Sequence, residues 1–170
     1  EQHARKGLEA IEAIGARRFT PLFNDVIARI RLHASDGAGA LDLLEESWNV
    51  SRETGLAFAG PVVLGAVALA TTDPGRRFEA LRQGEAILRE GCPSHNHFRF
   101  YRDAIEVSLR EQLWDTADGY ASALERYFGA AASPWSDLFI ARGRALAAAG
   151  RRSPEEAVLA QLRDYAGGLG

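Results

Sequence analysis

The sequence is poor in the features that mark secreted, membrane-spanning and disulfide-stabilised proteins. Only one cysteine occurs among its 170 residues, so an intrachain disulfide is excluded and a reducing compartment is expected. The longest apolar run covers residues 61–70, far short of the ~20 residues that a membrane-spanning helix needs. No signal peptide is visible either. We therefore expect a cytoplasmic protein without a membrane partner.

Methionine and an excess of positive charge are also absent. The chain has no methionine, even at position 1, which indicates a segment excised from a longer polypeptide. Its 20 basic and 23 acidic residues give a formal net charge of -3. Such a surface provides no positive field for a phosphate backbone, so nucleic acid is not an expected partner.

What the sequence does contain is a helical pattern along its whole length. Hydrophobic residues make up 46% and charged residues 25% of the chain, a balance typical of a globular domain. Apolar residues recur at helical spacing and no segment shows sustained strand alternation, so we predict a single all-α domain over residues 1–170. Nine helices are predicted, beginning near Ala4, Pro21, Ala38, Gly60, Pro74, His95, Trp114, Pro134 and Pro154.

The predicted helices form a degenerate repeat. The second helix of each hairpin begins near residues 38, 75, 114 and 154, at intervals somewhat above the ~34 residues of a tetratricopeptide repeat. Hairpins of this kind bury their apolar faces by stacking, which predicts antiparallel helical hairpins in a tetratricopeptide-like right-handed superhelix. The predicted core contains Leu41, Leu44, Trp48, Val67, Leu81, Leu88, Ile105, Leu124 and Leu146.

The most specific stretch lies around the predicted sixth helix, residues 92–106. A polar line runs along this helix between two apolar stripes and consists of His95, Arg99, Arg102 and Glu106. Spacing of i, i+4 predicts ion pairs of Arg102 with Glu106 and of Arg99 with Asp103. One interpretation is an anion site, because a helix N-terminus and two guanidinium groups favour a phosphate or carboxylate. The candidate ligand-binding residues are then His95, His97, Arg99, Arg102 and Asp103.

Two other interpretations of this stretch remain. The competing structural account, which we favour over the anion site, is a network of ion pairs between helices that holds successive repeats in register. Cys92, His95 and His97 are residue types that bind zinc or form a thiol nucleophile. On a helix, however, the two histidines point to nearly opposite sides, and nothing orients the thiol. We therefore expect no catalytic residue, no metal site and no cofactor, and histidines that satisfy neighbouring backbone groups.

The order of several motifs resembles one protein family. The motifs are Gly15-Ala16-Arg17-Arg18-Phe19, Glu53-Thr54-Gly55, Ser94-His95-Asn96-His97, residues 100–106 and residues 140–146. Together they look like the C-terminal tetratricopeptide-like region of large bacterial adenylate/guanylate cyclases. The resemblance implies a parent in which a class III cyclase domain and an AAA/STAND-type ATPase, which binds ATP, precede the repeats. Neither cyclase aspartates nor a phosphate-binding GxxxxGK[ST] loop occurs in this chain, so neither activity is assigned to it.

Two functions follow from these observations. The first is a non-catalytic interaction and regulatory module in intracellular signal transduction, whose partner is a protein, a peptide or a neighbouring domain of the parent. The alternative is a sensor domain that binds a small molecule or an anion as effector; an independent hydrolase has little support. Residues 1–14 form an apolar stripe without a preceding repeat, which predicts that they fray or associate with a second copy.

Overall fold

The computed structural model describes residues 1–131, 133–151 and 166–167. These ranges contain eight α-helices: α1 (Gln2–Ala13), α2 (Thr20–His33), α3 (Gly37–Thr54), α4 (Leu56–Ala70), α5 (Pro74–Glu90), α6 (Ser94–Arg110), α7 (Trp114–Phe128) and α8 (Pro134–Gly150). Short 3-10 helices cover Arg17–Phe19 and Gly129–Ala131. The described residues include no strand, which confirms the all-α prediction. The helix predicted from Ser153 to Tyr165 lies outside the described residues.

The chain divides into two compact units whose boundary falls within α6, between Phe100 and Tyr101. In the first unit, residues 1–100, α2 packs against α1, α3 and α4, while α4 also packs against α3 and α5. In the second unit, residues 101–170, α7 packs against α8. Consecutive helices that pack together across short connections are the building block that the periodicity predicts.

Side-chain caps explain why several helices begin where the sequence predicts. The Asp73 carboxylate accepts hydrogen bonds from the Gly75 and Arg76 amides at 2.8 and 3.3 Å, directly before α5. Ser133 and Ser136 form a reciprocal capping box at the start of α8. Such caps satisfy amide groups that have no partner within the helix. Gly91 ends α5 with a φ of 103°, a backbone conformation that favours glycine.

The core is confirmed at most of the predicted positions. Leu44, Val67, Leu81, Leu88, Ile105 and Leu124 are buried, whereas Leu41, Trp48 and Leu146 are only half-buried. In α3 the most buried stripe runs through Ala40, Leu44 and Ser47, and in α8 the small Ala145 and Ala147 are buried on either side of Leu146. Small residues therefore take several central positions, and neighbouring large side chains lie at the edge of the core.

Helix α4 departs from the prediction at its start. The pair Gly60-Pro61 predicts a helix that begins there, but α4 begins at Leu56 and contains Pro61 in its interior. Every residue from Ala59 to Ala68 is buried, as its all-round apolar sequence predicts. Proline has no N–H group, so the carbonyl of Ala57, four residues earlier, receives no donor from the helix itself. That carbonyl needs a partner from elsewhere.

Two glycines permit close packing in the first unit. A Cβ on Gly84 would collide with the ring of Phe100, a fully buried side chain. Gly84 therefore allows an aromatic ring to approach the backbone of α5 closely. Gly7 in α1 lies in the same way against the ring of Phe23 in α2. Helix α1 is thus regular and packed on α2 within one chain, and its association with a second copy stays a prediction.

Candidate functional site

The predicted polar line on α6 is half-buried at all four positions. His95 and Arg99 belong to the first unit, and Arg102 and Glu106 belong to the second. Within the first unit His95 and Arg99 are not paired with each other, and within the second unit Arg102 and Glu106 are not paired with each other. Each has its own partner within its own unit.

The ion pairs differ from those predicted within the helix. Arg99 Nη1 lies 3.6 Å from the carboxylate of Asp25 in α2. Arg102 donates to its neighbour Asp103 at 2.9 and 3.0 Å, and Glu106 accepts from Arg142 in α8 at 3.3 Å. The predicted pair of Arg102 with Glu106 is therefore wrong, and the pair of Arg99 with Asp103 stays a prediction. Arg99 and Glu106 have partners on packed helices, as the interpretation of ion pairs between helices predicts, whereas Arg102 pairs with its neighbour on α6.

Asp25 is the most buried charge of the first unit. Its side chain is 0% exposed, and Arg29 in the same helix contacts it at 2.9 Å. Arg99 approaches it from α6. A buried carboxylate is tolerated when cations and hydrogen bonds offset its lost hydration. Asp25 therefore holds the side chains of Arg29 and Arg99 in place. The sequence analysis did not identify Asp25 as a buried charge.

His95 and Asn96 support the backbone of α4. The Asn96 amide donates to the carbonyls of Ala57 and Phe58 at 3.1 and 3.0 Å. His95 Nε2 lies 2.9 Å from the Phe58 carbonyl oxygen. Because a carbonyl only accepts, this nitrogen carries the proton and donates. The motif thus supplies donors beside Pro61, where the helix lacks one. The prediction that histidine satisfies neighbouring backbone groups is confirmed for His95.

An exposed aromatic and cationic cluster adjoins this contact. The rings of Phe19 and His95 lie edge-on to Phe58, with centroids 5.2 and 5.7 Å away. The Arg18 guanidinium lies 4.1 Å from the centre of the Phe58 ring. A cation over an aromatic face is held by the charge distribution of the ring. The sequence signal was the cation next to an aromatic residue, Arg18-Phe19, directly before a helix.

His97 occupies a different environment from His95. Its side chain is buried, and this burial lowers its pKa below the ordinary value because the charged imidazole loses hydration. The lower pKa in the folded state favours the neutral ring. The neutral ring of His97 provides no positive charge for an anion at neutral pH, which argues against His97 as a ligand in the predicted anion site.

The burial of His97 predicts a pH dependence of stability. Because its pKa is lower folded than unfolded, the unfolded chain binds the proton first, and stability falls as pH drops through about 6.5, the ordinary histidine value. The loss stops growing below the folded pKa. We expect His97→Gln to flatten the change in melting temperature between about pH 7 and about pH 5. The exposed His33→Gln should leave the slope unchanged, and an equal effect of both variants would contradict the prediction.

Cys92 and the metal interpretation gain no support. The Cys92 thiol lies 3.4 Å from the Ile87 carbonyl, and burial, with the charge of Glu90, raises its pKa. A raised pKa lowers the thiolate fraction, opposite to what a nucleophile requires. Among the described residues, no three histidine, cysteine or acidic side chains are grouped so as to hold a metal ion.

The contacts on α6 therefore favour a structural role for most of the predicted site residues. Within residues 1–131, 133–151 and 166–167, no helix is long and apolar enough to cross a bilayer. Comparison of the chain with protein-family models, curated proteins and solved structures gives no match.

Proposed function

We propose that the chain is a non-catalytic protein-interaction and regulatory module. The main support for this proposal is a row of exposed apolar side chains in the first unit. Phe19, Val26 and Ile30 are 39%, 39% and 36% exposed. Val26 and Ile30, spaced i, i+4, lie on one side of α2, and Phe19 lies at the end of the 3-10 helix directly before it. Adjacent exposed apolar side chains with polar neighbours are typical of protein-interaction surfaces.

The chemistry beside this row indicates the kind of partner. We call Arg18, Phe19, Val26 and Ile30 the Phe19 face. Arg18 is exposed beside Phe19, with its guanidinium 5.6 Å from the ring centre. Arg29, one turn from Val26, adds a partly exposed guanidinium next to the row. Arg29 is already paired with Asp25, so Arg18 supplies the positive charge of this surface. A positive group beside an apolar row complements a peptide or helix that carries apolar and acidic residues.

Two features support a regulatory role in a longer protein: the packing of consecutive helices, and the resemblance to the C-terminal region of bacterial adenylate/guanylate cyclases. Helices that pack in consecutive pairs are the unit from which tetratricopeptide-like superhelices are stacked, and we propose that arrangement here. In a parent resembling the cyclases, the module would bias the linked ATPase and cyclase domains through the partner that it holds. Cyclic nucleotide synthesis would then belong to the parent, in the cytoplasm.

Selection from a random peptide library tests the partner chemistry. We expect enriched peptides to combine apolar residues at helical spacing with aspartate or glutamate. Arg18→Glu and Ile30→Ser should each weaken binding of the enriched peptides about tenfold or more, because central contacts carry most of an interface's energy. Phe78→Ser, which changes a 43% exposed residue on α5, is the matched control. Peptides that bind all three variants as well as the unmodified protein would refute the proposed face.

A second candidate function is an effector-binding sensor. Its anion form is less favoured, since Arg99 and Arg102 each lie beside a carboxylate, that of Asp25 or of Asp103. Its small-molecule form is supported by one observation, a cavity of about 500 Å³ among α1, α2 and α3 in the first unit.

A further inference from the structure

Phe58, in the first turn of α4, contacts the charged end of the Phe19 face. The Arg18 guanidinium lies over the Phe58 ring, 4.1 Å from its centre, and 5.6 Å from the centre of the Phe19 ring. Both distances fall within the ~6 Å over which an aromatic face attracts a cation. Phe58 is the nearer ring, so a residue outside the Phe19 face is the closer support of its positive charge.

The hydrogen-bond donors of Arg18 are not used by the part of the chain that the structure describes. Arg18 is exposed, and no carboxylate among the described residues pairs with it. Its neighbour Arg17 differs, because that guanidinium donates to Glu53 at 2.6 Å. A guanidinium that rests on a ring uses its flat face, and its N–H groups, which lie in the plane, stay available to a carboxylate.

Phe58 is itself held by α6. Its carbonyl accepts hydrogen bonds from His95 Nε2 at 2.9 Å and from the Asn96 amide at 3.0 Å. The His95 ring also meets the Phe58 ring edge-on, with the two centroids 5.7 Å apart. The backbone and the ring of Phe58 therefore have contacts within the first unit, and the ring is in place before any partner binds.

A ring in this position changes what Arg18 contributes to binding. A long arginine side chain loses rotamer freedom when a partner fixes it, and this loss weakens binding. Contact with Phe58 restricts Arg18 in advance and covers one side of its guanidinium, where water would otherwise weaken the attraction to a carboxylate. Removal of the ring should therefore reduce the advantage of an acidic partner over a neutral one.

We infer that Phe58 is a positioning residue that sets the preference of the Phe19 face for an acidic helical peptide. It holds Arg18 where an aspartate or glutamate of the peptide pairs with the guanidinium. The inference rests on the proposed function, since it requires that the Phe19 face bind a peptide. It adds that the preference for acidic peptides depends on α4, and through Phe58 on the contacts that His95 and Asn96 make.

Two peptides measure this preference. The first is the tightest-binding peptide from the selection described above, and the second is the same peptide with its aspartates and glutamates replaced by asparagine and glutamine. The ratio of their dissociation constants reports the effect of the charge, because a loss of folding or of apolar contact weakens both. We expect the unmodified protein to bind the acidic peptide about tenfold more tightly, as a charge-assisted hydrogen bond predicts.

Substitutions of Phe58 give the decisive comparison. Phe58→Leu keeps an apolar side chain but removes the ring, so the ratio should fall about threefold. Phe58→Tyr keeps the ring and should keep the ratio. Phe78→Leu, which changes an exposed phenylalanine of α5, is the matched control and should leave both dissociation constants unchanged. A ratio for Phe58→Leu equal to that of the unmodified protein would overturn the inference.

Variants of Arg18 show whether Phe58 acts through this guanidinium. In the Arg18→Gln background, Phe58→Leu should no longer change the ratio, and a further threefold fall would overturn the inference. Arg18→Lys gives a result even if Phe58→Leu does not fold. An ammonium group keeps the charge but lacks the flat face that rests on the ring, so the ratio should again fall about threefold, and an unchanged ratio would overturn the inference.

Failure of the inference is distinguishable from failure of the proposed function. If the selected peptides bind Arg18→Glu and Ile30→Ser as well as the unmodified protein, the Phe19 face itself is refuted, and the inference with it. If those two variants weaken binding but the ratio does not respond to Phe58→Leu, the face stands and only the role of Phe58 is refuted.

Discussion

Replacing Asp25 with alanine is expected to reduce the free energy of unfolding of the first unit by about 3 to 5 kcal/mol. The Asp25 side chain is fully buried and lies 2.9 Å from Arg29 and 3.6 Å from Arg99. Removing the carboxylate leaves two guanidinium groups, each with about three quarters of its surface covered, without the charge that offsets their lost hydration.

Urea denaturation measures this loss, with Trp48 as the fluorescent reporter in the first unit. Asp42→Ala is the matched control, because Asp42 is exposed on the neighbouring helix α3. The control should stay within about 0.5 kcal/mol of the unmodified protein. A similarly small change for Asp25→Ala would mean that Arg29 and Arg99 do not depend on this carboxylate.

Leu124→Ala should destabilise the second unit by about 2 to 5 kcal/mol. Leu124 is 0% exposed and lies on the same stripe of α7 as Ala117 and Ala121, both of which are also fully buried. Truncation loses the transfer free energy of three carbons and leaves a cavity that rigid helices fill only in part.

The same denaturation experiment, followed through Trp114 and Trp135, gives the magnitude. Leu113→Ala removes an identical group from a residue that is 38% exposed, and we expect it to cost clearly less. If Leu124→Ala and Leu113→Ala reduce the free energy of unfolding equally, burial of the Leu124 stripe does not stabilise α7.

Much of the fold follows from local signals. Asp73-Pro74 and Ser133-Pro134 start helices as predicted, since a capping side chain and a following proline act within one turn. The same local rule fails at Gly60-Pro61, because the start of α4 depends on donors from residues 95 and 96, far along the chain. A proline signal alone does not reveal whether a distant amide replaces the lost hydrogen bond.

The site was harder to predict than the fold. Helical spacing correctly finds a polar line from His95 to Glu106, but it does not predict that Glu106 pairs with Arg142 of α8 and Arg99 with Asp25 of α2. Asp25 stands between Asn24 and the apolar pair Val26-Ile27, and a carboxylate within an apolar helix face was the available signal of a buried charge. Asn24, whose buried amide nitrogen has no hydrogen-bond partner among the described residues, gave no signal, because such burial is recognised only once the packing around α2 is known.

The motif at the start of α6 supports the backbone of α4 beside Pro61. A double-mutant cycle tests it directly, with Asn96→Ala, Pro61→Ala and the two combined, and with the exposed Asn49→Ala as control. Alanine at position 61 restores an N–H group for the Ala57 carbonyl, so the loss of Asn96 should then cost less. We predict a coupling of about 0.5 to 3 kcal/mol in the free energy of unfolding. If the losses in the free energy of unfolding for Asn96→Ala and Pro61→Ala add to within about 0.5 kcal/mol in the double variant, Asn96 does not compensate for the donor that Pro61 lacks.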